Sequence, residues 1–345
     1  MPSSVGLIPR NRRRLIPPSL RLAHEYCFFL HDECARALVE YEGARAHIVT
    51  VNFRSRIESR RFSRIARGSV IEAMRATGYP DEARRVILNT VTMGMVSDCL
   101  HHIYEALRCM EKRKVVVAHN LLRKPLTDNL VYLSWMLGDE DAFFAAFSNE
   151  GGDSAVSRGM AARRLQIIGD ALAVLPIRDV LGAEFIHSTL FDAGNPSGLY
   201  GLFQHAVHLV TAKYIQLRTG PEDFNFIFKS HADDDLYELL YDVLPQIMLF
   251  LSHVIIGLFD RMRPMDDGSN RAFEVRSILG LYLMEGGENA AFAIEQIGDM
   301  SRYRCRSCRS PFNVNALNAA RLVLSESYRC PTCRAVWPFP YAWSF

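Results

Sequence analysis

Lysine is nearly missing from this chain. Only Lys112, Lys114, Lys124, Lys213 and Lys229 occur, so 35 of the 40 basic residues are arginine. Guanidinium forks suit phosphate and stack on bases. A GC-rich genome produces the same bias, so composition alone assigns no ligand. An uninterrupted apolar run of bilayer length is also missing. The most apolar long stretch, LPQIMLFLSHVIIGLF from Leu244 to Phe259, carries Pro245 and His253 and follows Glu238 and Asp242. A span wants about 20 apolar residues without such interruptions; the stretch reads as a buried core helix, and no membrane span is expected. Arg10, Arg12, Arg13, Arg14 and Arg21 near the start are followed by no apolar h-region, so no secretory signal is expected and the cytoplasm is the expected address. There is no glycine-rich phosphate loop, no Gly-x-Ser-x-Gly elbow and no His-Glu-x-x-His helix, which removes three familiar catalytic frames. A period-2 strand series is absent before residue 300, as is a repeat of 20–50 residues; β-rich and solenoid bodies are therefore disfavoured.

What is present is helical patterning. With 49% apolar and 23% charged residues the chain is in the globular range. Between Leu20 and Gly298 the 3.6-residue period dominates. Pro80, with Asp81 and Glu82 beside it, opens a long helix whose Val86, Val91, Met95, Cys99, Ile103 and Leu107 fall near one face. Leu122, Leu126, Leu130, Leu133 and Leu137 continue helical spacing past Pro125, which should kink the helix or mark its first turn. Further helices are expected near 20–42, 64–76, 139–147, 157–175, 197–217, 233–263 and 269–296. The expected fold class is an all-α irregular helical bundle with a small C-terminal β-type module. It divides into a basic N-terminal tail (1–19), a helical body (20–300) with two sub-bundles meeting near Gly151, and a C-terminal module (301–345).

The cysteines carry the sharpest signal. Cys27, Cys34, Cys99 and Cys109 are scattered through helical sequence, where a lone thiol is usually a small core hydrophobe. Cys305-x2-Cys308 and Cys330-x2-Cys333 form two pairs separated by 21 residues. Thiolates two residues apart on a tight turn reach one metal, and two such turns complete a four-sulfur site that suits one structural Zn²⁺ per chain. Disulfides would need an oxidising compartment for which there is no signal. The segment resembles the zinc-ribbon class, whose knuckles often read Cys-Pro-x-Cys-Gly. Cys330-Pro331-Thr332-Cys333 matches, with Arg334 where glycine is usual, while Cys305-Arg306-Ser307-Cys308-Arg309 lacks both proline and glycine. Rubredoxin-like iron sites use similar pairs, which leaves iron as an alternative ion.

Charge separates this module from the body. Residues 301–345 hold seven arginines against Glu326, a net +6, so the other 300 residues sum to −4. Arg302, Arg304, Arg306 and Arg309 around the first knuckle are the candidate nucleic-acid contacts, for RNA or DNA, because arginine at phosphate releases counterions. A second run, FRSRIESRRFSRIAR from Phe53 to Arg67, carries six arginines against Glu58. A solvated basic surface, a protein partner and a homodimer contact are the competing uses of such surfaces.

LLRKPLTDNLVYLSWMLGD (121–139), LYGLFQHAVHLVT (199–211) and NFIFKSHADDDLYELLYDVLP (225–245) resemble segments of uncharacterised bacterial all-helical proteins related to the HEPN (higher eukaryotes and prokaryotes nucleotide-binding) group. That resemblance implies a place in bacterial defence or regulation. It also implies a metal-independent ribonuclease as the alternative function, using an Arg-x4–6-His motif that Arg113 and His119 match. By residue type alone His119 also reads as a satisfied helix-face histidine. His205 with His208, and His101 with Tyr104, read as core pairs one turn apart. Arg123 is expected on a buried face, with Asp98, Glu105 or Glu238 as partner.

The chain ends on Trp337, Phe339, Tyr341, Trp343 and Phe345 at alternate positions. In extended chain these share a face, and Pro338 and Pro340 on the other parity suit an edge or cover segment. Packing against the body or the ribbon is the expected role; base stacking and a partner contact are the alternatives.

Overall fold

The helical period is realised as helices around one apolar core in the computed structural model, which describes residues 4–148, 152–208, 210, 219–221 and 234–341. In order these are α1 (Arg21–Gly43), α2 (Arg56–Ile65), α3 (Val70–Ala76), α4 (Pro80–Met110), α5 (Val115–Lys124), α6 (Leu130–Gly138), α7 (Glu140–Ser148), α8 (Gly152–Ala173), α9 (Ala183–Phe191), α10 (Leu199–Val207), α11 (Asp234–Met262), α12 (Asp267–Glu285), α13 (Gly287–Ile297) and α14 (Ala319–Ser325). Among the described residues the sheet is one antiparallel pair, β1 (Ser327–Arg329) and β2 (Val336–Pro338), with Tyr328 opposite Trp337.

Local chemistry sets the boundaries. Where one helix was expected over 64–76 there are two, because Ser55 and Ser69 each accept the backbone N–H three residues on, at Glu58 and Glu72, and so start separate helices. Pro125 cannot donate to the helical ladder, and the chain passes it in a π-helical turn, Pro125–Asn129, before continuing as α6. The helix expected over 269–296 breaks into α12 and α13 at Gly286 and Gly287, whose φ of 83° and 55° lie in the left-handed region.

α11 is the core helix. It packs against α1, α6 and α12, and Tyr237, Leu240, Ile247, Phe250, Val254 and Phe259 have no exposed surface. It is long and apolar enough to cross a membrane by length and composition, yet 83% of its most apolar window is buried inside the protein. The expected junction near Gly151 lies outside the described residues. Buried residues of α1 and of α4 through α14 form one contiguous cluster, and a small satellite of Met74, Tyr79 and Ala83 lies under α2 and α3.

The N-terminal stretch differs from the expected tail. Val5, Ile8 and Ile16 are buried, and two interior carboxylates hold the chain between them. Glu25 accepts the N–H groups of Val5 (2.6 Å), Gly6 (3.0 Å) and Ile8 (3.3 Å) and the Arg13 guanidinium (3.0 Å). Glu111 accepts Arg12 through Nε and Nη2, at 2.9 and 2.7 Å, and Arg108 at 2.5 Å. Its burial opposes ionisation, but His24 and Arg12 outweigh that and hold the carboxyl down to about 2.

The C-terminal module is docked rather than tethered. A Cβ at Gly280 of α12 would stand 2.7 Å from Leu324 of α14 and 2.9 Å from Tyr26 of α1, so only glycine admits α14 this closely. Beside it the buried Arg276 donates to the carbonyls of Val323 (2.8 Å) and Leu324 (3.3 Å) and pairs with Glu33 (3.2 Å).

Candidate metal centre and basic face

The two cysteine pairs adopt the same turn. Cys305 N–H donates to the Ser310 carbonyl (2.8 Å) and Arg309 N–H to the Cys305 carbonyl (2.9 Å). In the second turn Cys330 N–H donates to Ala335 and Arg334 N–H to Cys330, each at 2.9 Å. Arg309 and Arg334 have φ of 63° and 62°. Both arginines therefore occupy the left-handed position that ribbon knuckles usually give to glycine. The first turn is flanked by a bridge between Arg304 and Pro311, the second by β1 and β2.

Facing each other, these turns bring the four Sγ atoms of Cys305, Cys308, Cys330 and Cys333 within 4.8 Å of one another. Cys305 to Cys333 is 3.6 Å and Cys308 to Cys330 is 3.7 Å. The N–H of Cys308, and behind it that of Ser307, hold the Cys305 thiol down to about 6. At Cys333 the Ala335 N–H acts downward, but burial and the three neighbouring sulfurs push the thiol up to about 12. Four thiols this close cannot all ionise independently; a dication supplies the charge that lets them, and the cluster is compatible with a metal site. Beneath it Phe312 stacks on Tyr328 at 3.7 Å, and Tyr303 meets Phe339 edge-on at 4.9 Å. The 21-residue spacer carries α14, which periodicity did not distinguish from loop because it is only seven residues long.

Arg302, Arg304, Arg306 and Arg309 are all exposed on the first turn. Arg302 lies over the Tyr303 ring at 4.9 Å and Arg306 over Trp337 at 5.8 Å. A second cationic feature could not be placed from sequence. A cavity of about 550 Å³ is lined by Arg10, Asn11, Arg13, Arg14 and Arg21. Arg321 of α14 ties the N-terminal stretch to the module: its guanidinium donates to the Val5 carbonyl. Burial lowers the Arg321 pKa, and nearby Arg329 and Arg13 lower it further against Glu25. Arginines some 300 residues apart in sequence are thus neighbours, and the signal for this was tertiary.

Other sequence-selected residues have different surroundings. Arg113, in the turn after α4, pairs with Asp234 at 2.6 Å and lies over Tyr237 at 5.0 Å. His119, on α5, has no exposed surface, and neither ring nitrogen meets a hydrogen-bond partner among the described residues. Burial, reinforced by His205, pushes its imidazole down to about 3. Arg123 is exposed rather than buried; Lys124, the next residue, is the one that meets Asp98, at 2.9 Å. His205 is buried, but His208 and His101 are exposed, so neither expected pair shares the core. Of the terminal aromatics, Trp337 and Phe339 pack within the module and Tyr341 is buried. Phe339 meets Tyr303 and Phe312 of the module, while Pro340 shares a cavity lining with Phe273 and Arg276 of α12. Trp343 and Phe345 lie outside the described residues.

The chain matches no family model, no curated protein and no solved structure in comparisons with each. The likeness to the HEPN group finds no support there.

Proposed function

We propose that this is a nucleic-acid-binding helical protein whose C-terminal module is held by one structural Zn²⁺ on Cys305, Cys308, Cys330 and Cys333. Four thiolates converging from two tight turns would supply all the ligands a structural zinc takes and leave no position for water or substrate, so the ion would serve as a staple. The observation that carries the binding reading is Arg321, seated on the N-terminal hook. Beyond the effect of burial, Arg329 of the module and Arg13 of the N-terminal stretch lie close enough to depress its pKa, so cations of both segments gather beside it. A cationic face of this kind attracts phosphates by releasing their counterions.

Mass spectrometry of the native protein should find one zinc per chain. Fluorescence anisotropy with labelled RNA and DNA should show affinity falling steeply with salt, with a log–log slope near −0.9 per phosphate contact on duplex DNA and about −0.7 on single strands. Arg10→Glu with Arg14→Glu, and separately Arg302→Glu with Arg304→Glu, should each weaken binding about tenfold or more. Arg60→Glu with Arg61→Glu on α2 should leave it nearly unchanged. Loss confined to the α2 variant would move the interface there, and no binding at low salt would sink the proposal. The same RNA should remain uncleaved without divalent metal, because a ribonuclease using Arg113 and His119 needs an imidazole that substrate can reach.

A further inference from the structure

We infer that the module holds a pocket for one unstacked base of a single-stranded nucleic acid, walled by Tyr303, Phe312, Trp337 and Phe339 with Arg304 and Arg306 at its rim. This rests on the nucleic-acid reading above and narrows it to a strand form and a contact. The cavity measures about 320 Å³, and Pro338 and Pro340 complete its lining. Its shape follows from the ring packing. Phe339 stands edge-on to Tyr303 at 4.9 Å and 5.6 Å from Phe312. Phe312 is in turn fixed by its 3.7 Å stack on the fully buried Tyr328. The walls are thus held by the module's own small core, and a ligand need not order them. Proline at 338 and 340 removes two backbone donors from one side, leaving an apolar rim there.

Charge and polarity select the occupant. No acidic residue lines the cavity, while two exposed arginines do, so a neutral apolar peptide would leave the cations unused. A flat ring bearing a phosphate uses both. Arg306 already lies over the Trp337 ring at 5.8 Å; its guanidinium marks the face on which a base stacks, and it can turn to the phosphate when one arrives. In a duplex every base is already stacked, so only an unpaired one can enter.

The test uses the full-length zinc-loaded protein carrying Trp343→Phe, so that the emitters are Trp135, which is buried, and Trp337. Short oligo(dT) should quench the emission, whereas the same strand in a duplex, or polyphosphate of matching charge, should not. Trp337→Leu should weaken oligo(dT) binding about tenfold, with polyphosphate binding and zinc content unchanged. If that variant loses zinc, Phe339→Leu takes its place in the same titration. Salt-sensitive oligo(dT) binding without quenching, or equal quenching by polyphosphate, would overturn the pocket and leave the basic face standing. Failure of both ligands to bind at low salt would remove the nucleic-acid reading and the pocket together.

Discussion

Arg309 and Arg334 show how a residue can be read correctly for type and incompletely for cause. The sequence has arginine where ribbon knuckles usually have glycine. The backbone keeps the left-handed turn regardless, at φ 63° and 62°. A side chain in that region costs on the order of 1 kcal/mol, and the closing hydrogen bonds from Arg309 and Arg334 to the cysteine carbonyls hold it there. Arg309→Gly and Arg334→Gly should therefore each leave stability unchanged or raise it by up to about 1 kcal/mol, the gain being reduced by the greater freedom of glycine in the unfolded chain. Chemical denaturation of the zinc-loaded protein measures this. Arg309→Gly should also weaken the proposed nucleic-acid binding, which separates the residue's charge from its backbone. A marked destabilisation by either substitution would show that the arginine side chain holds the knuckle. The four cysteines were legible because their spacing is itself the chemistry. Arg123 and Lys124 were not: adjacent helix positions differ by about 100°, and the π-helical turn just after them decides which one reaches Asp98.

At the scale of elements, helices with strong local signals were readable and those defined by contact were not. Pro80 with its acidic first turn fixes the start of α4, and the period of α11 survives Pro245. α14 has seven residues and no capping hydrogen bond, and it is held through Arg276 and Gly280 of another helix. The hook before α1 was the larger omission. Its arginines suggested a solvated tail, because the carboxylates they meet lie elsewhere in sequence, Glu111 some 99 positions from Arg12. Removing one side of a buried, hydrogen-bonded ion pair costs about 3–5 kcal/mol, because the remaining charge is stranded. Deleting residues 1–16 should impose that cost at Glu25, whose described partners lie in the deleted stretch, while Glu111 keeps Arg108, and should lower stability by about 3 kcal/mol, measured by urea unfolding. Glu25→Gln in the deleted chain should recover part of the loss. A deletion that leaves the unfolding midpoint in place would mean that the hook's contacts contribute nothing net.

For the whole molecule, the question is whether the metal module is a separate unit or part of one cooperative fold. A four-cysteine ribbon appended to a body would lose its metal and unfold alone, since a segment of this size builds too little core by itself. Here Cys305, Cys330, Tyr328 and Phe312 belong to the same buried cluster as the bundle. Arg276 reaches from α12 to two carbonyls of α14, Arg321 reaches from α14 to the hook, and the hook reaches through Glu25 into α1. Each link is buried or partly buried, so losing the knuckles should loosen α14 and, through it, α12 and α1. Stripping the metal with a strong zinc chelator under reducing conditions should therefore lower a single thermal transition of the whole helical signal, by on the order of 10 °C if several kcal/mol of metal binding is lost. Circular dichroism follows the helices while emission of Trp337, in protein carrying Trp135→Phe and Trp343→Phe, follows the module, and the two should melt together before and after chelation. A helical transition that stays in place while the tryptophan signal melts early would make the ribbon an independent unit. The proposed basic face would then be two separate surfaces.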